Sequence, residues 1–241
     1  MAINNLSFSL EGSLKNDKEV LFSNLKLNIN LNEWTSIIGQ SGSGKSTLLK
    51  IIAGMDLPKV FNNTLINSNT NYSFSWMAQN DLLLPWASVI ENVTLGQKLR
   101  REKIDIKKAK NLLEQVGLIK DTKKLPSMLS GGMKQRVALA RTLMENKDII
   151  LMDEPFSALD SITRSVIQKL TWKLLKNKTV IMVTHDPLEA LLLSNNLYFI
   201  SNKKLMPIKL PKSKPFRKVN NENLLYSHKY ILNKLEKSYI S

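Results

Sequence analysis

The sequence predicts an α/β protein built on a mostly parallel sheet, and three patterns predict it. A short strand at 35–38 and two largely apolar stretches of strand length at 148–152 and 179–183 alternate with helical stretches through the middle of the chain. Strands that are apolar on both sides need cover on both faces, which is the setting of a parallel sheet. The first 38 residues instead alternate polar and apolar, as in Leu25-Lys26-Leu27-Asn28-Ile29-Asn30-Leu31. Period two marks strands with one buried face. A glycine-rich segment then separates the strand ending at Ile38 from a helix.

That first helix is expected over 47–53, with Leu48, Leu49 and Ile52 on one side and Gly54 as its stop. Residues 55–75 are rich in Asn and Ser and read as a loop with short strands. Residues 86–120 read as helices, most regular over 104–116, and Pro126 precedes a break. A strong helix over 133–144 carries Val137, Ala140, Leu143 and Met144 as its apolar stripe. The strand at 148–152 is followed by a helix over 161–175, the strand at 179–183 and a helix over 187–193. After Asn202 the composition changes, and three of the eight prolines fall there. The expected division is a main domain, 1–202, and a basic C-terminal extension, 203–241.

Composition removes several classes of function. The 241 residues include no Cys, so disulfide scaffolds, thiolate metal sites and a cysteine nucleophile are excluded. Two His leave little scope for a multi-histidine metal site. The formal charge is +15, and residues 202–241 hold ten Lys or Arg against two Glu. A basic surplus can bind nucleic acid or an anionic leaflet. It can equally follow from codon bias: only six of the 35 basic residues are Arg, and there are 24 Asn. No run nears the 18 apolar residues needed to span a bilayer. The first residues do not form a secretory signal. The chain is therefore expected in the cytoplasm, with any membrane role supplied through a partner.

Chemistry concentrates in two places. Gly39-Gln40-Ser41-Gly42-Ser43-Gly44-Lys45-Ser46 follows a strand and opens a helix. Glycines let backbone N–H groups wrap phosphate oxygens, and the helix N-terminus favours an anion. Lys45 can reach the β- and γ-phosphates of a nucleotide, and Ser46 can place its hydroxyl on Mg2+. Downstream, Ile149-Ile150-Leu151-Met152 ends in Asp153-Glu154. Asp153 at the carboxyl end of a buried strand can hold Mg2+ directly or through water, and Glu154 can polarise an attacking water. Read alone, this pair could equally be an acidic cap for the next helix; beside a phosphate loop, catalysis is the better reading.

Leu129-Ser130-Gly131-Gly132-Met133-Lys134-Gln135-Arg136 narrows the class. It resembles the signature of ATP-binding subunits of ABC transporters, with Met133 where the family carries Gln. The resemblance runs from about Leu6 to Asn202 in family order. It implies an ABC-type P-loop ATPase: a mostly parallel core, an N-terminal antiparallel β subdomain and an inserted helical subdomain at about 86–145. It implies that Gly39 to Ser46 and Thr47 bind ATP, and that Ser46, Gln79 and Asp153 hold Mg2+. It assigns Glu154 and His185 to catalysis, Asp160 to the D-loop, and Ser130, Gly131, Gly132 and Met133 to a signature acting in trans on a second copy. The family stacks an aromatic on adenine near the N-terminus. Here Leu10-Glu11-Gly12 stands about there, residues 13–19 read as a small insertion, and Phe8 is the nearest candidate or simply a core residue.

The resemblance also implies partners: a homodimer, an integral-membrane permease, and a periplasmic or surface solute-binding protein, at the cytoplasmic face of the inner membrane. No nucleic-acid partner is expected. Leu82-Leu83-Leu84-Pro85-Trp86, just after Gln79, is either core or a docking patch for the permease. The stretch 77–86 is similar to importers of nitrate, sulfonate and taurine. Glu33-Trp34-Thr35, residues 143–146 with 152–164, and residues 185–191 look closest to the importer ATPase for hydroxymethylpyrimidine, a thiamine precursor. That precursor is the expected solute, with nitrate, sulfonate or taurine as the alternative. A soluble ABC ATPase or a basic nucleic-acid-binding module are the readings from other classes. Soluble members usually carry two cassettes or a long coiled coil, and this chain has one cassette and no heptads.

Overall fold

A computed structural model of the chain describes residues 7–15, 20–55, 65–67 and 72–240. The chain divides into two units, Met1–Tyr72 with Leu175–Ser241, and Ser73–Leu174. The class is the expected α/β, with parallel strands at its core and antiparallel strands at the N-terminal end.

In the first unit, β1 (Ser7–Lys15) and β2 (Val20–Asn30) run antiparallel, with Phe8 opposite Ile29 and Leu10 opposite Leu27. β4 (Leu65–Asn67) pairs with the other edge of β1. Leu25, Leu27 and Ile29 are buried while Lys26 and Asn28 are exposed, which is the period-two face read from the sequence. A bulge near Asn24, whose φ is 54°, shifts the register between Gly12 and Leu14. Residues 16–19 of the expected insertion lie outside the described residues.

β3 (Trp34–Gly39) is buried along its whole length. It lies between two parallel neighbours, β7 (Thr179–Thr184) and β8 (Asn196–Ser201). Trp34 anchors it, its indole Nε1 donating to the Leu175 carbonyl at 3.1 Å. α1 (Lys45–Ile52) and α7 (Pro187–Leu193) pack on β3 and β7. α1 starts two residues before the expected Thr47.

The division expected after Asn202 falls inside a tight turn. Asn202 and Lys203 both have positive φ, 47° and 61°, as a two-residue hairpin requires. The chain returns as β9 (Lys204–Ile208), antiparallel to β8 from Ser201↔Lys204 to Leu197↔Ile208. Residues 204–208 therefore pair with β8 as an edge strand of its sheet. The remainder closes with α8 (Glu222–Ile240), which packs on α7 and buries Leu224, Ile231 and Leu235. Arg217, counted above as tail charge, is buried. It donates to the carbonyls of Leu191 and Ser194 at the end of α7, both at 2.7 Å. Burial pushes its guanidinium below the ordinary arginine value.

In the second unit, β5 (Phe74–Met77) and β6 (Ile149–Asp153) are parallel. Between them lies the helical insert: α2 (Val89–Val93), α3 (Leu95–Leu99), α4 (Ile106–Gln115) and α5 (Gly131–Met144). α6 (Ser161–Leu175) follows β6. Ser88 and Glu91 form a reciprocal cap on α2, and the Ser88 hydroxyl and amide hold the Glu91 carboxyl below its ordinary value. α5 packs on α2, α4 and β5, with Val137, Leu139 and Ala140 fully buried. Among the described residues no helix is long and apolar enough to cross a membrane.

Candidate functional site

The phosphate loop spans the gap between β3 and α1. Gly42 and Gly44 have φ of 79° and 91°, which side chains disfavour. Gly44 also caps α1, and a Cβ there would lie 2.8 Å from the Phe22 ring. The chain at this point needs glycine for both reasons. Lys45 is buried, its Nζ donating to the carbonyls of Gly39 at 2.9 Å and Gln40 at 2.7 Å. The loop thus holds a folded-back ammonium at the first turn of a helix. The Ser43 hydroxyl is buried and has no hydrogen-bond partner among the described residues. Such an oxygen is costly unless a ligand satisfies it. A cavity of about 350 Å3 lies against this loop, walled also by Val20, Leu21 and Phe22, Thr47, the β8–β9 turn and Ser238. The loop's amides, the buried cation and the orphaned hydroxyl fit a polyphosphate.

His185 belongs to the same unit. Thr184 pairs with Ile38, so His185 follows β7 at the level of Gly39, the last residue of β3. It is exposed, in a turn held on both sides. The Thr184 hydroxyl accepts from the Asp186 amide and donates to the buried Glu189 carboxylate at 2.7 Å. Asp186 caps α7, accepting from the amides of Leu188 and Glu189. Phe8 lies on β1, but its side chain is outside the described residues.

The second unit gathers the other candidates. Met77 pairs with Met152, so Gln79 and Glu154 leave β5 and β6 at matching levels. Gln79 Nε2 donates to the Ser157 hydroxyl at 3.3 Å. The Ser157 hydroxyl and amide both reach back to the Glu154 carbonyl, at 3.0 and 3.3 Å. Glu154 has φ of 45°, a strained backbone for a side chain of its size, and these bonds hold it there. Asp153 and Glu154 are both half-buried.

Ser130 caps α5, accepting from the Met133 amide at 3.3 Å, so the signature residues form the first turn of that helix, with Ser130 and Gly131 exposed and Gly132 and Met133 half-buried. Nothing stands within 4 Å of a Cβ at Gly131, whereas one at Gly132 would lie 2.5 Å from Thr163 Cγ2. Gly132→Ala should therefore cost about 1–3 kcal/mol of stability, since a β-branched threonine yields little. An unchanged unfolding midpoint would show that Thr163 gives way freely. Asp160 accepts from the amides of Ile162 and Thr163 at the start of α6, and Thr163 holds its carboxyl below the ordinary range.

The signature segment holds one further residue whose role only the fold reveals. Gln135 is buried on α5, and its Nε2 donates to the Pro155 carbonyl at 2.7 Å and the Gln79 carbonyl at 3.4 Å. It ties the loop after β5 to the turn after β6. The segment after Gln79 is not core: Leu82, Pro85 and Trp86 are exposed. Its backbone is nonetheless pinned. Arg141 donates to the carbonyls of Asp81 and Leu82, and the Asn92 amide holds Leu84 and Ala87.

A strand–glycine loop–helix with a buried lysine, and an apolar strand ending in two carboxylates, define a P-loop nucleotide-binding ATPase. The family model described as ABC transporter matches residues 22–157, more than half of the chain. The chain belongs to the ABC transporter family as an ATP-binding subunit. An uncharacterized ABC transporter ATP-binding protein of Haemophilus influenzae is 41% identical over 92% of this chain and 95% of its own length. The aliphatic sulfonates import ATP-binding protein SsuB 1 of Rhodococcus jostii is 43% identical over 79% of this chain and 78% of its own length. Its namesake in Mesorhizobium japonicum is 38% identical over 90% and 84%. A solved ABC transporter assigned to the metal-chelate type, in an inward-facing conformation, matches with a TM-score of 0.72 over 93% of this chain and 89% of its own. At 23% identity that match concerns the fold alone.

Proposed function

We propose that this chain is the ATPase subunit that powers uptake of an aliphatic sulfonate through a separate integral-membrane permease. The observation that carries the solute is the recurrence of aliphatic sulfonate import in the names of relatives that cover most of the chain. Those names favour the sulfonate alternative over the pyrimidine precursor. An ATPase never touches the solute, so the inference passes through likeness of the whole subunit.

In this reading the loop amides from Gln40 to Ser46 bind the phosphates, and Lys45 swings its ammonium from two carbonyls to the γ-phosphate. Ser46, Gln79 and Asp153 would hold Mg2+, and the ion would supply charge neutralisation on the phosphate oxygens. Glu154 orients the attacking water and takes its proton. His185 hydrogen-bonds the γ-phosphate, and Asp160 contributes to the dimer face. Ser130, Gly131 and Gly132 of a second copy offer amides at a helix N-terminus to the same phosphate. Two copies therefore work as a homodimer around two nucleotides. The exposed apolar side chains of Leu82 and Trp86, on a pinned backbone, suit a permease helix. The subunit sits at the cytoplasmic face of the inner membrane, and a solute-binding protein outside delivers the solute.

The test is recovery of tagged chain from detergent-solubilised membranes, followed by reconstitution of what co-purifies. ATP-dependent uptake of radiolabelled ethanesulfonate is the expected result. Uptake of hydroxymethylpyrimidine alone would overturn the solute. Recovery of ribosomes or nucleic acid in place of a membrane protein would overturn the importer.

A further inference from the structure

The basic C-terminal segment has no part in the reading above, yet its last helix reaches the phosphate loop. Gln40 Nε2 donates to the Ser238 hydroxyl at 2.8 Å and to the Leu235 carbonyl at 3.4 Å. The Ser238 hydroxyl in turn donates to the Leu235 carbonyl at 2.7 Å, which leaves its lone pairs for Gln40. The carbonyl of the same Gln40 accepts from Lys45 Nζ. One residue thus links helix α8 to the loop's buried ammonium. Ser238 also lines the cavity beside the loop.

We propose that α8 is a positioning element of the nucleotide site, acting on the phosphate loop through the Gln40–Ser238 bond. The loop contains two glycines at positive φ, a backbone with much freedom to lose on binding. A tether from a fixed helix removes part of that cost before the ligand arrives. The helix is fixed: Leu224, Ile231 and Leu235 are buried, and Lys234 lies 5.8 Å from the ring centroid of the buried Phe199. Ser238 is a positioning residue. It sets affinity for a nucleoside triphosphate and leaves hydrolysis alone. The inference rests on the ATP-binding reading of the loop.

The test is equilibrium binding of ATP to the full chain, with phosphate release measured in parallel. Ser238→Ala should raise Kd and KM about fivefold, the effect of losing one neutral hydrogen bond, with kcat within twofold. Ser238→Thr, which keeps the hydroxyl, should bind as the wild type does. Gln40→Ala should weaken binding similarly, and the double variant Gln40→Ala/Ser238→Ala should be no worse than Gln40→Ala alone. Unchanged or tighter binding in Ser238→Ala, or additive losses in the double variant, would overturn the role of α8 while leaving the nucleotide site standing. A wild-type chain that does not bind ATP would overturn the nucleotide reading, and this inference with it.

Discussion

Glu154→Gln should bind ATP as tightly as the wild type and release phosphate at least 100-fold more slowly, since removing a general base typically costs 10²–10⁴ in rate. The amide keeps the size and shape of the carboxylate but cannot accept the proton of an attacking water. The backbone at Glu154 is set by Ser157, which bonds its carbonyl, so the substitution leaves the strained turn in place. Side-chain chemistry is then the main variable. Nucleotide should accumulate on the variant, and the dimer should persist in gel filtration with ATP. Wild-type turnover would remove Glu154 from its role and make the acidic cap the correct account of that carboxylate.

Lys45→Ala should raise the Kd for ATP by roughly 10–100-fold, from the loss of charge-assisted contacts at about 1.5–3 kcal/mol. The ammonium is buried and donates to the carbonyls of Gly39 and Gln40. The truncation also strips two carbonyls of a donor, so the binding titration belongs beside a melting curve. Unchanged affinity in a folded variant would sink the phosphate-loop assignment.

Much of this was legible because it is local. The phosphate loop needs eight consecutive residues, a strand before them and a helix after. Steric reasons for glycine at 42 and 44 operate within that span, with Phe22 as the one distant contributor. The same holds for Ile149–Asp153, whose short unbroken apolar run reads as a buried strand and is one. Boundaries slipped where capping outweighs propensity. The helix read from Met133 begins at Gly131, because the Ser130 cap draws two poor helix formers into its first turn.

Other features were ambiguous because burial is a property of neighbours. Leu82 to Trp86 read equally as core or patch, and the choice fell to Arg141 and Asn92, which hold the backbone and leave Leu82 and Trp86 in solvent. Gln135 lay inside a quoted segment, yet its link between two loops depends on how β5 and β6 pair.

By itself the sequence determined the α/β class, the phosphate loop, the acidic strand end and the family, since each is encoded in short spacings. The tertiary structure alone decided the fate of the last forty residues. Their lysines mask a helix whose buried Leu224, Ile231 and Leu235 are spaced seven and four apart. Arg217 is a tether, Lys204–Ile208 is an edge strand, and Ser238 meets Gln40 across 198 residues of chain. A contact of that separation exists only once the sheet has formed and brought the phosphate loop and α8 side by side.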